Sequence, residues 1–293
     1  MTSQAQEKAK HEEKHYPRFR TIARIEHAIL LVSFTVLSIT GLPQKYALQN
    51  WAVWMINAMG GIEFVRIIHR WAAFLLVTGS IYHLFTSAFR LYVKRERMRI
   101  MLRKQDLFDL IQTVKYNLGF TADAPKMPKF NFGEKIEYWA VVWGTAIMAI
   151  TGFVLWNPIA ATAFLPGQFI PAAKAAHGGE ALLAVLSIVI WHFYNVLIKH
   201  RNFSIFTGKL SHHQMEEEHA LELERLEQGG DPWPGLSLEV RRRRLRIFFA
   251  VGVIVGGLML AIVIWAFTFE QTAIETIPRV TREVFVPLST PSP

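Results

Sequence analysis

Apolar residues in this chain fall in continuous blocks of about twenty, without the alternating or three-to-four spacing of a half-buried surface. At about 1.5 Å per helical residue, such a block crosses a hydrocarbon core of about 30 Å. Five blocks are long enough: residues 22–42, 66–90, 137–156, the stretch AHGGEALLAVLSIVIWHFYNVLIKH up to His200, and 247–268. Gly41 and Pro43 are expected to end the first. Trp51 and Trp54 fall in a connecting loop with Gly60 and Gly61, as interfacial aromatics do. The segment around Leu107, Leu110, Ile111 and Val114 is too charged to span and is expected to lie along the membrane surface.

This pattern predicts an all-α, polytopic membrane protein. It divides into a polar head (1–21), a four-helix core (22–210), a charged linker (211–246), a fifth transmembrane helix (247–269) and a Pro-containing tail (270–293). The linker reads as a solvated helix broken at Gly229, Gly230 and Pro232. Gly252, Gly256 and Gly257 in the fifth helix suit close helix packing. The head has no apolar region followed by a cleavage site, so no cleavable signal peptide is expected.

Charge then orients the spans. A net charge of +9 would suit a nucleic-acid partner, but the basic residues sit beside the apolar blocks. All but six of the 32 Lys and Arg residues lie in 1–26, 90–135 and 199–246, which are segments on one side of a five-span chain. The positive-inside rule makes that side cytoplasmic and places the tail on the outer face, and no nucleic-acid partner is implied. Cysteine is absent, which excludes disulfides, CxxCH-attached haem and cysteine-held iron–sulfur clusters in this subunit.

Histidine is the candidate chemistry. His69 and His83 are 14 residues apart on the second span, and His177 and His192 are 15 apart on the fourth, about 22 Å along an α-helix. His69 and His177 fall on the outer side; His27, His83 and His192 fall near the inner side. Two planes of intramembrane histidines point to two stacked, non-covalent haems b, each with two imidazole ligands from different helices. The inner plane has one histidine too many, so His192 pairs with His27 or with His83. His200 is interfacial, and His212, His213 and His219 lack the spacing of a metal site. Arg66 and Arg70 flank His69 at positions suited to haem propionates or to interfacial anchoring. Glu180, one turn from His177, is a candidate proton carrier. Gly41, Gly79 and Gly152 offer room for a flat macrocycle.

The motifs RIEH with Gly41 fourteen residues after His27, RIIHR, FNFGEKIEYW…TGFVLW and the two spaced histidines of the fourth span together resemble a family. This is the prokaryotic di-haem membrane cytochrome b superfamily, which includes the formate dehydrogenase γ subunit and hydrogenase cytochrome b. The resemblance covers roughly residues 18–210. It implies His69 with His177 at the outer haem, His27 with His192 at the inner haem, and a quinone near the inner one. The chain departs from the pattern at Ala28, where tryptophan commonly follows the histidine, in its 15-residue spacing, and in the additional His83. Its second span is also similar to that of cytochrome b in bc-type quinol complexes, which would give the inner haem to His83.

The expected function is electron transfer between membrane quinone (menaquinone or ubiquinone) and an outer-face redox subunit: a multihaem cytochrome c, an iron–sulfur subunit or a molybdenum enzyme subunit. The setting is a prokaryotic inner membrane. Quinone contacts are expected from Glu26, His27, His83, Asn195 and Lys199, with Glu180 marking an alternative outer site. A proton-linked transporter or a passive anchor with structural histidines is the competing reading. The sequence shows neither an internal repeat nor the paired broken helices that would favour a transporter.

Overall fold

A computed structural model describes residues 14–230 and 236–268; most of the polar head and the whole of the 270–293 tail lie outside the described residues. Among the described residues, five helices are long and apolar enough to cross a membrane: Thr21–Lys45 (α1), Ile62–Ala88 (α3, continued by a π-helical turn Phe89–Val93), Phe132–Trp156 (α5), Phe169–Leu186 (α7, continued by π-helical turns Ser187–His192 and Tyr194–Lys199) and Leu238–Thr268 (α11). Little of their apolar surface is covered by protein, as expected of helices that face lipid. The chain is a multi-pass, helical membrane protein. α1 packs along α3, and α5 along α7. α11 lies outside this bundle against α3, where Gly252 and Gly256 leave space for the Phe85 ring.

Three helix ends differ from the sequence pattern. Pro43 lies inside α1, which runs to Lys45. A proline this close to a C-terminus removes only one backbone bond, the one to the Ile39 carbonyl, and the Gln44 side-chain amide donates to the neighbouring Thr40 carbonyl at 3.0 Å. Trp51 and Trp54 lie on a short helix, Asn50–Ala58 (α2), at the end of the bundle opposite the basic loops, the outer end by the charge pattern, followed by a turn in which Gly60 and Gly61 take positive φ. The arginine run before the fifth span is itself helical, because α11 begins at Leu238.

The side carrying the basic loops bears a small polar cap. Strand β1 (His15–Pro17) pairs antiparallel with β2 (Lys209–Ser211), tying the entry of α1 to the exit of α7. Between α3 and α5 runs Lys104–Asn117 (α4), with Leu107, Ile111 and Val114 exposed and Asp106 paired to Lys135 in a buried ion pair. The outer connection holds Pro158–Thr162 (α6). The cap is completed by Ser204–Thr207 (α8), His212–Glu218 (α9) and Ala220–Glu227 (α10), the last two separated by His219. Leu210, Met215, Leu223 and Tyr16 form its apolar core. Arg18, nearly fully buried, reaches Glu134 at 2.7 Å, and Glu134 closes a capping box with Asn131 at the start of α5.

Candidate functional site

α1 and α5 carry the same string of residues. Arg24-Ile25-Glu26-His27 and Lys135-Ile136-Glu137-Tyr138 stand at the inner ends, and Ile39-Thr40-Gly41 and Ile150-Thr151-Gly152 stand at the outer ends, with a constant separation of 111 positions. The expectation of no internal repeat is corrected by this arrangement: each half of the bundle is one such helix packed on a helix bearing two histidines. Five matching residues on a background of generic apolar positions make a weak linear signal. Their shared packing makes the repeat visible.

At the outer end, the rings of His69 and His177 face one another with centroids 6.4 Å apart. Thr40 donates its hydroxyl proton to Val36 O at 2.7 Å, so its oxygen accepts from His69 Nδ1–H at 2.8 Å. Thr151 likewise donates to Ile147 O at 2.7 Å and accepts from His177 Nδ1–H at 2.9 Å. Both imidazoles are thereby held in the tautomer that leaves Nε2 with a free lone pair, as a metal ligand requires. Gly41 and Gly152 make this possible: a Cβ at either would stand 3.0 or 3.3 Å from the Cε1 of its histidine. Two metal–nitrogen bonds of about 2 Å, together with the offsets from nitrogen to ring centre, match the observed centroid separation, so these residues fit an iron between them. Gly41 and Gly152 thus lie against the two imidazoles, and Gly79 against Ile29.

The inner end follows the repeat with one difference. His192 donates Nδ1–H to Glu137 at 3.0 Å, and His83 donates Nδ1–H to Glu26 at 2.8 Å. The repeat places Tyr138 opposite His83 and His27 opposite His192. Tyr138 Oη donates to His83 Nε2 at 3.0 Å, so both nitrogens of His83 are engaged. His27 is the electrostatic neighbour of His192 and meets the Phe206 ring edge-on at 6.4 Å. The second Glu26 oxygen accepts from Thr86 at 2.6 Å, closing a Glu26–His83–Tyr138–Thr86 cluster. Tyr138 was not a sequence candidate, and only the repeat could have pointed to it.

The 15-residue spacing on α7 has a local explanation. The Ser187–His192 turn is π-helical, a form that takes more residues per turn. It absorbs the residue by which His177–His192 exceeds His69–His83.

The remaining candidates are dispersed. Arg66 pairs with Glu63 at 3.4 Å on an exposed face, and Arg70 lies over the Trp156 ring at 4.2 Å. Asn195 donates to Trp191 O on its own helix, and Lys199 is exposed at the end of that helix. Glu180 turns its carboxylate into α5, where a Cβ on Gly144 would be 2.7 Å from Oε1. Gly144 is midway between Glu137 and Thr151, so this carboxylate lies near mid-bundle, inward of His177. His212 and His213 stand near glutamates of the cap, His219 is buried, and no cluster of three metal-ligating side chains occurs among the described residues.

No protein-family model matches the sequence. The chain is 20% identical over 204 residues to the nitrate-inducible formate dehydrogenase cytochrome b556(Fdn) subunit of Escherichia coli K12, covering 69% of this chain and 87% of that one. It is 23% identical over 183 residues to the cytochrome b556(fdo) subunit of the same strain, covering 61% and 78%. With the formate dehydrogenase cytochrome b556 subunit of Haemophilus influenzae it shares 25% identity over 180 residues, covering 60% and 68%. These relatives support a membrane cytochrome b of the formate dehydrogenase γ type that works with haem b in electron transport, within an oxidoreductase complex.

Proposed function

We propose that this membrane cytochrome b holds two non-covalent haems b, each between two histidines, and passes electrons between the quinone pool and a redox subunit on the outer face of a prokaryotic inner membrane. The outer haem is assigned to His69 and His177, the inner haem to His27 and His192. The observation that carries this reading is the paired Thr40–His69 and Thr151–His177 arrangement, which engages Nδ1 and leaves Nε2 for a metal on two imidazoles whose ring centres lie 6.4 Å apart. What supports His27 over His83 is the complete hydrogen-bonding of His83.

Haem supplies the one-electron redox chemistry, and the chain supplies ligation, orientation and proton handling. Glu137 accepts from the ligand His192 and raises its basicity, favouring the oxidised iron; at the outer plane two neutral hydroxyls do less. With haems bound, this difference in hydrogen-bond partners would set the inner one at the lower potential.

The quinone site is assigned to the inner half, with Glu26–His83–Tyr138 as its polar end. Oxidation of a quinol to a quinone releases two protons and two electrons. A quinol hydroxyl that displaces Tyr138 from His83 Nε2 meets an imidazole whose Nδ1–H is already held by the Glu26 carboxylate, the arrangement of a general base. Asn195 and Lys199 bear less directly on this site, because the Asn195 amide bonds its own helix and Lys199 is exposed. The partner is a multihaem cytochrome c, an iron–sulfur subunit or a molybdenum enzyme subunit, since this cysteine-free chain cannot carry such a relay itself.

Pyridine haemochrome analysis and redox titration test the assignment. Wild type is expected to hold two haems b, His177→Ala to lose the outer one and His192→Ala the inner one. Retention of both, with unchanged potentials, in either variant would remove the ligand set.

A further inference from the structure

At the rim of the cap, beside the exit of α7, is a cavity of about 480 Å³ whose walls include Arg201, Lys209, His15, Phe203 and Gln214, and to which no carboxylate side chain contributes among the described residues. Neither Arg201 nor Lys209 forms an ion pair with a described carboxylate, although the cap is rich in glutamate. Arg201 takes φ 47°, a left-handed conformation unusual for a residue with a Cβ, and so turns the chain sharply just after the π-helical end of α7. Two exposed cations beside hydroxyl and amide donors, with no acid among the described lining residues, make a site for an anion, and a guanidinium matches the paired oxygens of a phosphate.

The position identifies the anion. Arg201 is two residues beyond the end of one transmembrane helix, and Lys209 pairs with Pro17, four residues before the start of another. Both therefore stand at headgroup depth on the face with the basic loops, where pockets between helix ends collect anionic lipid. Phe203 in the wall and Phe206 one turn later are each about half exposed, providing the apolar side that an acyl chain needs and a free phosphate does not. We propose that this pocket binds the phosphate diester of an anionic phospholipid of the inner leaflet. Occupancy would also steady α8, whose Phe206 ring abuts His27 and whose Phe206 carbonyl accepts from Arg24.

The holoprotein in nanodiscs of phosphatidylglycerol or phosphatidylcholine provides the test, read by the lipids retained in native mass spectrometry and by thermal unfolding. Arg201→Asn keeps a residue that tolerates the left-handed turn, and Lys209→Gln keeps the strand pairing. Arg243→Gln, in the basic run of α11, controls for general attraction. The expectation is preferential retention of phosphatidylglycerol, reduced about fivefold for each pocket cation removed and unchanged in the control. Millimolar inorganic phosphate should give no comparable protection. Equal protection by inorganic phosphate would move the site to a soluble anion and overturn the lipid assignment. Retention that is indifferent to both pocket variants, with the folded haem spectrum intact, would overturn the pocket itself.

Discussion

His177 donates its Nδ1 proton to Thr151, whose own hydroxyl proton is committed to Ile147 one turn earlier. The threonine can only accept, and this fixes which imidazole nitrogen is left for a metal. Thr151→Val is therefore expected to weaken outer haem binding about 10- to 100-fold, as loss of such an orienting partner typically does. Thr151→Ser should restore it. Haem titration of the stripped protein measures the effect, and an unchanged outer haem in the valine variant would deprive the hydroxyl of this role.

His27 and His83 lie on the same inner plane but differ in their partners. His27→Met should remove or convert the inner haem to a shifted spectrum and potential. His83→Met should leave two haems with near-normal spectra and instead slow quinol-driven haem reduction. The opposite pattern would transfer the iron to His83 and with it favour the bc-like pairing.

Glu137 is the counterpart of Thr151 at the inner plane, with a charge in place of a hydroxyl. Glu137→Gln should raise the inner midpoint potential on the order of 50 mV, close to a tenfold change in a one-electron equilibrium. Potentiometric titration at fixed pH reads this directly. An unmoved or lowered potential would show that the carboxylate does not tune that ligand.

The cap has its own acid limit. Burial depresses the His219 imidazole to about 4, with Arg18 adding to the effect, while its Nδ1–H donates to Pro128 O at 2.9 Å. Between the ordinary value of 6.5 and about 4, the unfolded chain binds a proton that the folded one refuses. Stability of the cap should therefore fall as pH drops through that window, by roughly 3 kcal/mol in all, and level off below it. His219→Leu should flatten this limb in protease-protection or hydrogen-exchange measurements across pH 4–7, whatever it does to stability at neutral pH. An unchanged slope would place the acid sensitivity elsewhere.

The sequence made the spans and the histidine depths legible because both follow from strong one-dimensional rules: twenty apolar residues cross a bilayer, and a histidine inside them must be accommodated. It showed less about how the histidines are supported. Thr40 and Thr151 look like ordinary polar residues in a membrane helix until they are seen against His69 and His177. The one-residue difference in histidine spacing read as a departure from the family, whereas a π-helical turn at Ser187–His192 absorbs it. The β1–β2 pairing joins residues almost 200 positions apart through three-residue strands, too short for any alternation to register. Tyr138 was hidden because its meaning depends on a repeat whose other copy has histidine.

Glu180 and Gly144 offer a final test, of whether the mid-bundle carboxylate is seated where the structure shows it. The repeat puts Ala72 and Ser33 at the corresponding places in the other half, both buried. The half bearing the carboxylate thus has a larger side chain on α7 and a smaller residue on α5. Gly144→Ala would set a methyl group 2.7 Å from Oε1, so the carboxylate end of Glu180 must shift from its present position. Since displacing an acidic side chain within a membrane bundle is unfavourable, Gly144→Ala alone should destabilise the protein by about 1–3 kcal/mol. Combined with Glu180→Ala, the same glycine change should cost little, giving a coupling energy of about 1 kcal/mol or more in a double-mutant cycle. Thermal unfolding in one defined detergent, with haem content as a second readout, supplies the four corners. Strict additivity of the two substitutions would mean that Glu180 does not occupy the Gly144 notch, and a carboxylate facing the outer side would then return as a candidate for quinone chemistry there.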